Sequence, residues 1–285
     1  MSKLLVFQSD FGLSDGAVAA MYGVALSVEP TLKIYNLTHD IPPFDTFEAS
    51  YRLFQAVPFW PKGTVFVTVV DPGVGSERRS IVVKTKRGQY IVTPDNGSIS
   101  HVSRAIGIES VREISEEVGR RKNSENSYTF HGRDVYGYTG ALLASGQISY
   151  EDIGSEIPIE EIVIMQGMYP EVGEDFIEGN IETLDVRFGS LWTNIGREAF
   201  EKMSFKAGDL VNVTITRGET TIYHSFVQYV NTFADVKIGE ALIYANSMDY
   251  MALAINQGSF AKAYGIGTGT SWKLSISRAP RLTLE

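Results

Sequence analysis

Through the first half of the chain, short apolar runs alternate with amphipathic stretches. Residues 4–7, 32–37 and 65–70 read as strands, and residues 17–28 and 46–57 between them read as helices. In the first helix Val18, Met21, Tyr22, Ala25 and Leu26 recur at spacings of three and four, and Pro30 stops it. Asp45, with Glu48 three residues on, forms a capping box that opens the second helix. Residues 65–70 are β-branched or aromatic throughout, which suits a strand buried on both faces of a parallel sheet. Residues 81–86 and 89–93 form a hairpin around Arg87-Gly88, residues 99–106 a helix and residues 111–114 a further strand. Residues 116–127 are polar and charged and read as an exposed, mobile loop, with a helix following to about Ser145.

The pattern changes near Pro158. From Phe176 onward the chain is short strands and turns, with turn signals at Gly179-Asn180, Arg217-Gly218 and Gly239-Glu240. Residues 211–216 and 221–230 form a hairpin, and residues 241–244 and 251–255 are further strands. Regular turns of this kind point to a small antiparallel barrel or sandwich. The expected architecture is an α/β domain over residues 1–165 with a central, mostly parallel sheet. A linker over 166–173 and a small all-β domain over 174–285 follow.

Composition narrows the function. At 285 residues the chain has room for two domains, and 44% hydrophobic content supports real cores. A net charge of −9 argues against nucleic acid as a partner, since phosphate binding needs a basic face. With no cysteine there is no disulfide, no thiolate nucleophile and no Cys-ligated metal, which suits a reducing cytoplasm. No apolar run approaches the roughly 20 residues of a membrane span, and the first residues lack the apolar core of a signal peptide. The reading is a cytoplasmic protein with no membrane partner.

Candidate chemistry gathers where strands end. The strand 65–70 runs into Asp71-Pro-Gly-Val-Gly-Ser-Glu-Arg78, a carboxylate and a guanidinium seven residues apart across a glycine loop. In open α/β sheets ligands bind outside the carboxyl ends of strands, so this is a candidate reaction centre; Asp-Pro-Gly is also ordinary turn chemistry. The strand 4–7 leads into Gln8-Ser-Asp10-Phe-Gly-Leu-Ser-Asp15-Gly, which lacks a Walker lysine and a full dinucleotide fingerprint. Its two carboxylates suit hydroxyls or an ammonium, and Asp15 alone would equally serve as a helix cap. Pro42-Pro43 stiffens the chain before Phe44, a possible stacking platform. His39 and His131 sit in loops, where a lone histidine is usually structural; His131, just before a helix start, could instead face the same crevice as Asp71. In the second half, Asp185, Phe188, Ser190 and Asn194, with the turn residues around Ser247 and Asn256, combine acid, aromatic and amide groups. These suit a purine, stacked on its face and hydrogen-bonded on its edge, or barrel core with turn chemistry.

Taken together the motifs resemble the S-adenosyl-L-methionine (SAM) hydroxide adenosyltransferase family, also called SAM hydrolase (adenosine-forming), which shares its fold with the fluorinase and chlorinase. The matching stretches are Ser9-Asp10-Phe-Gly with Asp15, Pro43-Phe44-Asp45, Val70-Asp71-Pro-Gly-Val-Gly with Arg78, and Pro94-Asp-Asn-Gly97. Further along they are Thr129-Phe-His131-Gly-Arg133-Asp134, Leu184-Asp185 with Phe188-Gly and Trp192-Thr-Asn194, and Thr232-Phe233-Ala-Asp. The resemblance implies an α/β domain followed by a β-barrel, and hydrolysis of SAM by water attack at C5′ to give adenosine and L-methionine. SAM is then the substrate, and neither cofactor nor metal is needed. The catalytic set falls on Asp71, Arg78 and His131. The substrate contacts fall on Asp10, Asp15, Phe44, Asp185, Phe188, Ser190, Asn194, Phe233, Ser247 and Asn256.

The fluorinase has Tyr at the positions of Asp71 and His131 and a halide-holding Ser at Gly132, so the departures point from halide towards water. Ser190 stands where the fluorinase has Asn, and Met248 and Ile255 where it has Arg. The family assembles as a homotrimer with each site between subunits. A halogenase of the same fold and a SAM or adenosine sensor without turnover are the alternatives.

Overall fold

The computed structural model describes residues 3–278; residues 1–2 and 279–285, which the expected domains include, lie outside the described residues. The chain divides into two compact units after Met165. The stretch 166–173, expected as a linker, groups with the second unit.

The first unit holds β1 (Leu4–Ser9), α1 (Ala17–Val28), β2 (Lys33–Thr38), α2 (Thr46–Ala56), β3 (Val65–Val69), β4 (Ser80–Thr85) and β5 (Tyr90–Pro94). After these come α3 (Ser100–Ala105), β6 (Ile108–Glu113), α4 (Glu116–Gly119), α5 (Tyr138–Ser145) and β7 (Glu156–Ile157). The sheet order is β2-β1-β3-β5-β4-β6-β7. β1 pairs in parallel with β2 and β3, and β3 with β5, whereas β4–β5, β4–β6 and β6–β7 are antiparallel. The sheet is therefore mixed, which corrects the expected mostly parallel one. The physical reason is connection length: the tight turn from Thr85 to Gln89 joins β4 to β5, and a parallel pair needs a crossover of a dozen residues or more. Full burial of β3 marks its central place and not the direction of all its neighbours.

Helix placement follows the apolar pattern. α1 buries Val18, Met21, Val24 and Ala25, and Val18, Met21 and Ala25 join the core around Leu5, Phe7, Val65 and Val67. Each of the valines and the methionine contributes about 1.5–3 kcal/mol by leaving water. Asp45 caps α2 as expected, accepting from the Glu48 N–H at 2.9 Å.

Two features of this unit position the site. β2 and β3 lie on opposite sides of β1, so the chain reverses its winding there, and a crevice opens outside the carboxyl ends of β1 and β3. Ser9 of β1 stands beside Val69 of β3, so Asp10 and Asp71 leave the same edge of the sheet. The segment read as an exposed loop is also more ordered than expected: it contains α4, and Gly119, Arg120 and Ser124 are buried.

The second unit contains β8 (Glu171–Val172), β9 (Phe176–Leu184), β10 (Leu191–Gly196), α6 (Arg197–Glu201), β11 (Leu210–Arg217) and β12 (Thr220–Tyr229). β13 (Ala241–Ala245), β14 (Tyr250–Ile255), α7 (Phe260–Tyr264) and β15 (Gly269–Ser277) complete it. The order β10-β14-β13-β12-β11-β15-β9 closes through a β9–β10 pairing into a seven-stranded barrel, with β8 added on β9. Closure removes the exposed edges an open sheet would carry. The pairs are antiparallel except β12–β13. Alternation fills the interior: Val211, Val213 and Ile215 point inward, meeting Ile177, Ile181, Leu253 and Leu274. The barrel is somewhat larger than the expected small domain.

Candidate functional site

In the first unit a cleft of about 280 Å³ opens at the switch point, lined by Asp10, Phe44, Asp71, Phe130 and His131 among others. The loop after β3 contributes Asp71 and Val74 to its lining. Val74 N–H donates to the Asp71 carbonyl at 3.2 Å and Ser76 N–H to the Gly73 carbonyl at 3.0 Å. Gly75 has φ +80°, and a Cβ there would come within 3.2 Å of the Tyr128 carbonyl, so glycine is required. The loop returns Arg78 onto Asp71. Its Nε donates to Oδ1 at 2.8 Å and Nη2 donates to Oδ2, a bidentate fork. Nη1 reaches Ser80 Oγ at 3.0 Å, and the guanidinium lies 5.5 Å from the centroid of the Tyr136 ring. Both partners of the pair are largely buried.

His131 enters just before a π-helical stretch, Gly132–Gly137, that leads into α5. Its Nδ1 lies 3.2 Å from Arg78 Nη2 and its Nε2 3.1 Å from Arg120 Nη2. Burial, then the charges of Arg78 and Arg120, push its pKa below the usual histidine value and favour the neutral ring. Tyr136 lies beneath, its hydroxyl 3.1 Å from Ser80 Oγ and 3.5 Å from Asp71 Oδ2. Burial foremost, then the Asp71 charge, raises its pKa and keeps the phenol protonated.

Asp10 and Phe44 meet directly. Asp10 Oδ2 accepts from the Phe44 N–H at 2.9 Å. Phe44 has φ +68° in a turn closed by Asp45 N–H on the Pro42 carbonyl at 3.0 Å. A turn of this kind needs a positive φ at its third residue, strained for a side chain as large as Phe. The result is an exposed ring held at the cleft. Asp15 is placed otherwise: it is exposed, and Oδ1 accepts from the Ala17 N–H at 2.9 Å at the start of α1. His39 is structural. Its Nδ1 lies 2.7 Å from the buried Ser9 Oγ and its Nε2 3.0 Å from Asn36 Oδ1, and its carbonyl accepts from Gly12 N–H at 2.8 Å. Together these fix the Asp10 loop.

In the second unit a wider pocket of about 700 Å³ is lined by Asp185, Arg187, Phe188, Ser190, Phe233, Tyr244, Ile255 and Asn256 among others. The β9–β10 loop shapes it. Asp185 N–H donates to the Ser190 carbonyl at 2.8 Å, and its Oδ1 accepts from the N–H groups of Arg187 and Phe188 at 2.9 and 2.7 Å. Gly189 has φ +66°, and a Cβ there would meet Ser259 Oγ at 1.9 Å. Phe233 meets Tyr244 edge to face at 4.9 Å. Asn256 gives its amide hydrogens to the carbonyls of Phe233 and Val236 at 3.0 and 2.9 Å, so it holds the aromatic wall in place.

Two of the expected contacts lie apart from this pocket lining. Asn194 is buried in the barrel wall, its Oδ1 accepting from Asn180 N–H at 2.8 Å and its Nδ2 donating to the Met168 carbonyl at 2.9 Å. Ser247 is exposed in the turn that Asn246 and Asp249 close. The sequence reading missed Arg187 and Tyr244 in this pocket and Arg120, Ser80 and Tyr136 in the first unit. For Arg120 the one available signal is its spacing of four from Glu116. Among the described residues no group of three or more His, Cys, Asp and Glu side chains is arranged to hold a metal ion.

A mixed α/β unit followed by a β-barrel defines a known class of two-unit protein. A solved structure from Thermotoga maritima, an uncharacterized conserved protein, superimposes with a TM-score of 0.88 at 32% identity, covering 96% of this chain and all of that one. The SAM hydroxide adenosyltransferase N-terminal domain matches residues 5–154 and the C-terminal domain matches residues 179–273. The chain therefore belongs to the SAM hydroxide adenosyltransferase family.

Among its relatives is an (R)-S-adenosyl-L-methionine hydrolase of Thermus thermophilus, 33% identical over 94% of this chain and 98% of its own. Another protein of that name, from Methanocaldococcus jannaschii, is 35% identical over 74% of this chain and 73% of its own. A fluorinase of Nocardia brasiliensis is 29% identical over 96% of this chain and 97% of its own.

Proposed function

We propose that the protein hydrolyses SAM, water attacking C5′ to release adenosine and L-methionine. The observation that carries the reading is the Asp71–Arg78–His131 cluster at the cleft, in a chain whose relatives are named for this hydrolysis. The sulfonium makes C5′ electrophilic, and methionine leaves as a neutral thioether. One C–S bond breaks, one C–O bond forms, and the water gives up one proton. The task left to the protein is positioning. Asp71 keeps carboxylate lone pairs beyond those the Arg78 fork takes and lines the cleft, so it is suited to orient the water and take its proton, with the neutral His131 ring coupled to it through Arg78. No cofactor or metal enters this reading, since SAM is itself the substrate.

Asp10 would hold the ribose hydroxyls, and Phe188, Phe233 and Tyr244 would pack on the adenine. Asp10, Asp15 and Asp185 give the anionic surroundings that suit a cationic substrate. Arg187 and Asp185 offer the two charges a zwitterionic amino acid needs, a guanidinium for its carboxylate and a carboxylate for its ammonium. Arg187 would then replace the arginines that the resemblance expects where Met248 and Ile255 stand. In the relatives' names the methionine and adenosyl parts fix their own stereocentres, so the (R) descriptor falls on the sulfonium; the same epimer is the expected substrate here. The homotrimer with shared sites and the cytoplasmic location belong to the same proposal. The shared site is supported by the division of chemistry between a water-handling cleft in one unit and an aromatic pocket in the other.

The halogenase reading has fluorinase relatives behind it, and the geometry at Gly132 weighs against it. A Cβ at Gly132 would stand 3.1 Å from both Phe11 and Val69, so a halide-holding hydroxyl would need those side chains to shift. Incubation with SAM followed by product chromatography tests the proposal. Adenosine in halide-free buffer at an undiminished rate supports it. A halogenated nucleoside, or SAM binding with no product, overturns it.

A further inference from the structure

Two guanidiniums, not one, flank the His131 ring. Arg120 is as firmly built in as Arg78. Its side chain is 4% exposed, and its fork closes on Glu116, with Nε to Oε2 at 2.8 Å and Nη2 to Oε1 at 3.1 Å. Nη1 points at the carbonyls of Ser124 and Ser127 at 3.4 Å each, and the guanidinium lies 5.2 Å from the centroid of the Tyr128 ring. Nη2 then lies 3.1 Å from His131 Nε2. The groups form a row: Glu116, Arg120, His131, Arg78, Asp71. Tyr128 and Tyr136 are further titratable neighbours, with rings 6.3 and 6.5 Å from the imidazole; Asp10 lines the same cleft, and Asp134 acts on Arg120.

The chemistry of the row restricts the ring. A guanidinium only donates; a neutral imidazole has one nitrogen lone pair and an imidazolium has none. A protonated His131 would therefore face two cations with nothing to accept their hydrogens. A neutral ring can satisfy one arginine at a time.

We propose that Arg120, anchored by Glu116, is a positioning residue for the hydrolysis proposed above, holding the His131 ring in place and neutral beside Arg78 and Asp71. Arg120 acts through the imidazole and touches neither water nor substrate. The inference rests on the hydrolase reading for its consequence in turnover, but its electrostatic part is measurable without substrate. The depressed pKa of His131, with Arg120 among its causes, agrees with the geometry.

The test is an NMR titration of the four histidine rings, with His131→Asn to assign the signal, alongside the pH profile of kcat/KM. Arg120→Gln should raise the His131 midpoint by about one pH unit. The acid limb of kcat/KM should move up by the same amount. Arg120→Lys, which keeps the charge, should restore most of the wild-type midpoint. Should Arg120→Gln fail to fold, Glu116→Gln/Arg120→Gln removes the pair together and leaves no unmatched carboxylate. Its midpoint should still rise, because the lost cation is nearer the ring than the lost anion. An unchanged His131 midpoint in either folded variant overturns the proposal. So does a moved midpoint with an unmoved acid limb. A wild-type enzyme that turns over no SAM would sink the hydrolase reading and the catalytic role resting on it, while the titration would still report whether Arg120 governs the ring.

Discussion

The cleft of the first unit and the pocket of the second are built on opposite plans. In the cleft, polar and charged groups face one another: Asp71 is forked by Arg78, and the His131 ring stands between Arg78 and Arg120. In the pocket, hydrogen bonds are spent on backbone, with Asp185 on its own loop and Asn256 behind Phe233, and aromatic side chains line the surface. The first plan suits a small polar reactant that must be oriented. The second suits a large flat group that must be held. Damage to the cleft should therefore appear in turnover, and damage to the pocket in binding.

The largest effect expected is at Arg78. Arg78→Ala should lower kcat and kcat/KM together by at least ~100-fold, with SAM binding by calorimetry nearly unchanged. It removes the fork on Asp71 and one of the two cations on His131. Near-normal turnover would remove Arg78 from the mechanism.

Next come the aromatic residues. Phe233→Ala or Phe188→Ala should raise KM about tenfold, the lower part of the 1–3 kcal/mol range for a base stacked on an aromatic ring, with little change in kcat. A fall in kcat with KM unchanged would break the division between the two sites.

The pH dependence should be milder. Because the His131 pKa is depressed, the neutral ring persists below the ordinary histidine value of about 6.5. Activity should hold as pH drops through that value and fall only below it. Stability follows the same sign. His39 and His131 are both depressed in the folded state, so the unfolded chain binds protons first. Their contribution is full above the unfolded pKa and is lost as pH falls through the folded one. A thermal midpoint that rises on acidification from pH 7 to pH 5 would contradict this.

The smallest expected effect on catalysis is at Asn194. Asn194→Ala should cost about 1–3 kcal/mol of stability, because two buried backbone partners lose their side-chain amide. KM at a temperature where the variant is folded should match wild type. A tenfold rise in KM would return Asn194 to the substrate site.

Legibility in the sequence followed the range of the forces involved. The edges of α1 and α2, the strand β3 and the hairpin β11–β12 were readable because local periodicity and turn chemistry set them. Strand direction was not, since full burial of β3 says nothing about the antiparallel partners β4 brings in. Asp71 and Arg78 were readable because a glycine loop of fixed length joins them. Arg120 was hidden inside a polar run that resembles a solvated loop; its burial depends on contacts with Glu116 and His131. Amide partners were the hardest to read: Asn194 hydrogen-bonds within the barrel wall, and Asn256 lines the pocket with its amide hydrogens on the Phe233 and Val236 carbonyls, partners set by strand register and long-range packing and invisible to composition.

The most direct test of the central claim is turnover of SAM in ¹⁸O-labelled water with mass analysis of both products. The account predicts label in the 5′-hydroxyl of adenosine and unlabelled methionine. Free adenine, label at C1′, or a nucleoside carrying halide in place of labelled oxygen would contradict it.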